Sequence, residues 1–216
     1  MDEELPIGLD GTLDMRFHVA DRPVAKKLLQ ALRSTRTSIN RMLIAVSGAG
    51  KTSCMFQVAR EVFMVYIPCT TRQDANNFVM DARHRTGSFV FLDDAVKQLK
   101  ATTVDPTVGA KLKSMQFLVA NFYVLWVFLT KYPGATPIQC LSFQMLVGGG
   151  RQIVEMVFSE LQNMNEQQVK DLGNQIRIKL HPLLGGRPLV LAVDEMEGAM
   201  QAGNDFVSRN NKQERG

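Results

Sequence analysis

Apolar positions recur along this chain in two rhythms, and the switches between them mark out its elements. Residues 23–34 place Val24, Leu28, Leu29 and Leu32 at helical spacing, behind Asp21 as a cap and with Pro23 in the first turn, where its missing N–H costs little. Residues 42–46 (MLIAV) form a short continuous apolar run ending in Ser47-Gly48, the pattern of a buried strand that feeds a tight loop. Helical spacing returns over 52–61 through Met55, Val58 and Ala59. Residues 62–68 (VFMVYIP), β-branched and aromatic, then read as a second strand.

From residue 72 to about 180 the pattern is predominantly helical. Breaks are expected at Thr86-Gly87, Asp105-Pro106, Tyr132-Pro133-Gly134, Gly148 to Gly150, and Gly173. The most apolar stretch, 117–129 (FLVANFYVLWVFL), is 13 residues long and bounded by Lys113 and Lys131. It falls short of the roughly 20 residues that span a bilayer as a helix, and it predicts a buried core helix. After Gly185-Gly186-Arg187-Pro188, residues 189–193 (LVLAV) restore a fully apolar strand with Asp194 and Glu195 at its C-terminal end. The organisation expected is a lead-in and helix over 1–40, a core over 41–204 holding a helical insertion at about 72–180, and a polar, frayed tail over 205–216.

Composition changes this picture little. A chain of 216 residues with 45% apolar and 21% charged residues has the balance of a folded domain able to bury a core. The formal net charge of +4 is spread without a basic run or stripe, so nucleic-acid binding is not indicated. Cys54, Cys69 and Cys140 are widely spaced with no C-x-x-C pair, which points to buried reduced thiols rather than a disulfide framework or zinc cluster. The acidic opening, with no basic residue before Arg16, is the reverse of a secretory signal, and with no membrane span expected it argues for a cytoplasmic chain.

The candidate chemistry begins at residues 45–53 (AVSGAGKTS). A phosphate-binding loop asks for Gly, four free positions, then Gly-Lys and Ser or Thr, because backbone N–H groups must wrap the phosphates without Cβ atoms in the way. Gly48, Gly50, Lys51 and Thr52 match, and Ala45 stands where the first glycine is expected. The motif needs a strand before it and a helix after it, and 42–46 and 52–61 supply both. Ser47, Gly48, Ala49, Gly50, Lys51, Thr52 and Ser53 would hold the phosphates of a nucleoside triphosphate, ATP by preference. Lys51 would neutralise β and γ oxygens, and the Thr52 hydroxyl would hold Mg2+. Residues 189–195 (LVLAVDE) have the form of the second element such a site requires, an apolar strand delivering Asp194 to the metal and Glu195 to an attacking water.

Other features are weaker. Gly148-Gly149-Gly150-Arg151, before a helical stretch at 152–161, reads either as the end of one helix and the start of the next or as a second anion-binding turn. His18, His84 and His181 show no metal-ligand spacing, and Arg72, Arg83 and Arg85 fit a solvated face.

The expected fold is therefore α/β: a P-loop NTPase with a small, mainly parallel sheet flanked by helices, and a large helical insertion between the second strand and the Walker B strand. With its SGAGKT loop after an apolar strand, the short following strand VFMVYI, a long helical insertion and a V-D-E strand about 140 residues downstream, the chain resembles the P-loop NTPase domain of Crinkler-type effectors of oomycetes and fungi. That family belongs to the AAA-like and STAND-like ATPases. The resemblance implies Mg2+-dependent ATP hydrolysis, contact with a host protein or self-association, and action in the host cell or nucleus. A nucleotide-binding scaffold without turnover and a small-molecule kinase are the alternatives. Ala45 and the chain's stop soon after Glu195 suggest the first, and a helical insertion able to close over an acceptor would serve the second.

Overall fold

Residues 23–34, 51–68, 106–145 and 150–194 are described by the computed structural model of this chain. At its centre two strands, β1 (Phe63–Pro68) and β2 (Leu189–Asp194), run parallel in unbroken register from Phe63 opposite Leu189 to Pro68 opposite Asp194. Parallel neighbours cannot be joined by a hairpin, and here the connection contains four helices among the described residues. The described chain is thus a mixed α/β arrangement on a two-stranded parallel sheet.

The helices in chain order are α1 (Pro23–Ser34), α2 (Lys51–Val58), α3 (Pro106–Lys131), α4 (Pro137–Met145), α5 (Gly150–Leu161) and α6 (Glu166–Leu183). Strand side chains alternate between faces, and each face has its own helical cover. Phe63, Val65 and Ile67 join a core with α3, α5 and α6, centred on Phe117, Val124, Phe158, Val169 and Ile176. Met64, Tyr66 and Ala192 face the opposite way, into a core with Ala25 of α1 and Cys54, Phe56 and Val58 of α2. Helix α4 feeds both, Cys140 on the first side and Leu141 on the second.

The position of α4 is fixed by one side chain. The Gln144 amide donates to the Met64 carbonyl at 2.7 Å, and its Oε1 accepts from the Tyr66 N–H at 3.3 Å. These groups lie on the edge of β1 that does not face β2, so Gln144 satisfies the backbone as a neighbouring strand would. Helix α4 starts with a reciprocal cap, in which the Thr136 N–H donates to Gln139 Oε1 and the Gln139 N–H to Thr136 Oγ1, with Pro137 in the first turn.

Most of the expected elements are present, with shifted ends. Helix α2 stops at Val58 rather than 61, because the Arg60 and Glu61 amides bond three residues back, to Gln57 and Val58, and tighten the chain into β1. The breaks at Pro106 and at Tyr132-Pro133-Gly134 are real. The expected break at Gly173 is not. This glycine lies inside α6, and a Cβ there would come within 3.2 Å of Val119 Cγ2, so its role is to let α6 approach α3 closely. An unexpected break lies between α5 and α6, where Asn165 and Gln168 form a capping box. The expectations for Asp21, the strand at 42–46, the break at Thr86-Gly87 and the tail at 205–216 fall outside the described residues.

Helix α3 corrects the length argument made from 117–129. Its segment Lys111–Lys131 is long and apolar enough to cross a membrane by length and composition, and 44% of that window is buried inside the fold. Phe117, Ala120, Val124 and Leu129 pack into the core shared with α5, α6 and β1, which is the burial expected of a core helix.

Replacing Gln144 by Met keeps the volume and removes both bonds to β1. We expect a loss of about 1–3 kcal/mol, read as a lower urea midpoint with an unchanged slope. On the exposed side, Lys170 and then Lys111 bond to Glu166 and hold its carboxyl down at about 2. The stability this contributes is present above the ordinary carboxylate range and is lost as pH falls through about 2. Thermal melts of Glu166→Gln should therefore fall less steeply on acidification than those of the parent chain.

Candidate functional site

In an open parallel sheet the ends of the strands at their carboxyl side form the natural binding edge. Here that edge carries Pro68 and Asp194, directly opposite one another in register. Helix α2 reaches the same end. The turn at 59–62 is too short for anything but an immediate reversal, so α2 and β1 lie antiparallel, and the Phe56 ring sits 5.5 Å from that of Tyr66. The first residue of α2, Lys51, is consequently directed toward the end of the sheet where β2 stops.

The local electrostatics suit an anion. A helix N-terminus presents unpaired N–H groups and a partial positive charge. The first turn of α2 contains no acidic residue that would cancel that field. Ser53, half-buried, belongs to this turn. The backbone of Lys51 and Thr52 opens α2 and that of Asp194 closes β2, while their side chains, together with all of Ser47, Gly48, Ala49, Gly50 and Glu195, lie outside the described residues.

Other expectations resolve more simply. Gly150 is the first residue of α5, where a Cβ would meet the Phe143 ring at 2.9 Å and the Phe143 carbonyl at 3.0 Å, so packing against α4 explains this glycine. The Arg151 side chain lies outside the described residues. His181 is exposed in the last turn of α6; His18, His84, Arg72, Arg83 and Arg85 lie outside the described residues. Cys54 and Cys140 are buried free thiols, as expected, and Cys69 lies outside the description. Among the described residues no group of three or more His, Cys, Asp or Glu side chains is placed to hold a metal ion.

Gln144 is the residue that sequence reasoning missed. Its partners are about 80 residues away in the chain, and a glutamine in a short helix carries no signal of an edge-capping role. The Asn165 cap was in principle readable, since Asn followed by Gln three residues later matches a helix start.

Comparison of the chain with protein-family models, with curated proteins and with solved structures finds no match in any of the three.

Burial pushes the Cys140 thiol up to about 12. Since the thiolate is the reactive form, maleimide labelling of Cys140 in the folded chain at about pH 8 should be at least roughly a hundredfold slower than in denaturant. Peptide mass spectrometry identifies the labelled residue, and rapid labelling of Cys140 without unfolding would contradict its burial.

Proposed function

We propose that this chain binds ATP with Mg2+ at the end of the sheet where α2 begins and β2 stops, and hydrolyses it. The observation that carries the reading is the shared direction of three elements: β1 and β2 run parallel, and α2 folds back so that Lys51 is directed toward the end where Asp194 lies. The opening of α2 at Lys51 and the close of β2 at Asp194, widely separated in sequence, support this reading because both elements point to one end of the sheet.

In this reading the amides of 47–52 and the Lys51 ammonium bind the phosphates. Thr52 and Asp194 would hold Mg2+, which would supply charge screening at the phosphates. Glu195 orients the water that attacks the γ-phosphorus, with the nucleoside diphosphate leaving on the opposite side. The resemblance to Crinkler-type effectors extends the proposal to a chain acting on a host protein, in the host cytoplasm or nucleus.

Ala45 favours a second reading, a nucleotide-binding scaffold, because a first loop residue that needs positive φ is poorly served by alanine.

Titration with ATP and GTP, with and without Mg2+, tests the binding step. Lys51→Ala should weaken ATP by roughly 10- to 100-fold, the worth of a charge-assisted contact; unchanged affinity would remove the loop from the proposal. Phosphate release should fall by roughly 10²–10⁴ in Glu195→Gln while binding persists. Tight binding by the parent chain with no release above background would establish the scaffold.

A further inference from the structure

Helices α3 and α6 lie side by side and parallel, as three contacts along their length show. Lys111 pairs with Glu166, a Cβ on Gly173 would meet Val119, and the Lys179 ammonium stands 4.7 Å from the centre of the Trp126 ring. Their second halves therefore form one strip. It runs toward the end of the sheet where β2 starts, because only residues 184–188 separate α6 from Leu189. Arg187 in that link stands 6.0 Å from the Phe63 ring, opposite Leu189 in register. Asp194 lies at the other end of the strand.

Two properties set this strip apart. Among the described residues it leaves large apolar side chains uncovered: Val127 is 41% exposed, Tyr132 50% and Ile178 67%. Tyr123 and Trp126, edge to face at 5.5 Å, are only partly buried. Its charge, moreover, has one sign. Residues 106–154 and 172–193 contain no Asp or Glu, although the chain has 21. Lys131, Arg177, Lys179 and Arg187 are all exposed. The acids in the first half of α6 are already engaged, Glu166 with Lys111 and Lys170, and Asp171 with Gln167.

We infer that the strip around Trp126 and Lys179 is an adsorption surface for an anionic lipid bilayer. Charge complementarity supplies the first argument, since exposed cations unopposed by carboxylates are drawn to anionic headgroups. The uncovered side chains supply the second. Val127 and Ile178 gain by leaving water for acyl chains, a gain that a nucleic-acid backbone or an acidic peptide does not offer. Tryptophan and tyrosine beside lysine suit the headgroup level, where each ring or alkyl stem enters apolar surroundings and its polar tip stays wet. Lys179 over Trp126 and Lys131 at 5.8 Å from the Tyr132 ring have that disposition. The bilayer is touched and not crossed, because Phe117, Val124 and Leu129 commit the other side of α3 to the core with β1.

Trp126 is the only tryptophan of the chain, so its emission reports this strip directly. Vesicles of phosphatidylcholine with phosphatidylserine should bind the full chain, shift Trp126 emission to the blue and, with brominated acyl chains, quench it. Raised salt should release the chain. Lys179→Glu should weaken binding by roughly 5- to 30-fold, because one attraction is lost and one repulsion added. Ile178→Asn should weaken it by roughly 3- to 10-fold through lost apolar contact. Both positions are exposed, so thermal melts of the two variants should match the parent chain. The inference is overturned by absence of binding to the anionic vesicles, by equal binding to phosphatidylcholine alone, or by binding that leaves Trp126 emission unmoved and both variants unaffected. Capture of a single-stranded oligonucleotide or of polyglutamate without capture of vesicles rejects it as well. No nucleotide is added, so failure here and failure of the catalytic proposal remain distinguishable.

Discussion

Parallel pairing of β1 with β2 is the constraint from which the rest of the architecture follows. A strand pair with both members pointing the same way must be joined by a chain that leaves one end of the sheet and returns to the other. Residues 69–188 make that return, and the helices within them are long enough to bury much of the sheet on the way. Helix α3 alone, at 26 residues, reaches about 39 Å, more than the strands require, so it can pack against α5, α6 and β1 together. The same constraint explains the separation into two cores. Alternating side chains on a parallel strand need apolar cover on both sides, and β1 is buried on both, Met64 and Val65 being fully inaccessible on opposite faces.

Within that frame, α4 does something a helix packed flat on a sheet could not. It stands at the rim, placing Cys140 in one core and Leu141 in the other, and Gln144 converts the rim into a closed edge. An unpaired strand edge invites further strands, from this chain or another. A side-chain amide with one donor and one acceptor matches the alternation of Met64 C=O and Tyr66 N–H, and it does so without committing another strand. The outer edge of β1 is thus sealed by a single glutamine, whereas among the described residues the outer edge of β2 pairs with no strand.

How much of this was legible in the sequence depends on the range of the interaction involved. The strands expected at 62–68 and 189–193 were readable because short continuous apolar runs rich in β-branched or aromatic residues, one ending in Pro68 and the other following Gly186-Arg187-Pro188, have few other uses. Pro106 and the Tyr132-Pro133-Gly134 turn were readable because proline and glycine act on their own backbone. Gly173 misled for the same reason: local propensity marks it as a break, whereas the close packing of α6 on α3, set by Val119, overrides the local cost. Likewise the run at 189–193 is fully apolar, yet Leu191 and Val193 are 44% and 42% exposed. At the candidate site the elements were legible, including a helix opening at Lys51 and a strand closing at Asp194. That both elements point to one end of the sheet was expected only from pairing the two motifs, because strand direction and register are set by partners that no local pattern names.

That meeting has an electrostatic logic of its own. In a parallel sheet all connections leave from the same end, so helices returning antiparallel to the strands present their N-termini there, and their dipoles add rather than alternate. At such an end negative charge is favoured, whether a ligand or an acidic side chain carries it. Residue Asp194 and the acidless first turn of α2 are directed to this one end. In the proposed reading, a polyphosphate chelated to a divalent cation would present negative charge to the helix terminus and positive charge to Asp194. An inorganic anion alone would satisfy the helix and repel the aspartate, whereas a cation alone would do the reverse.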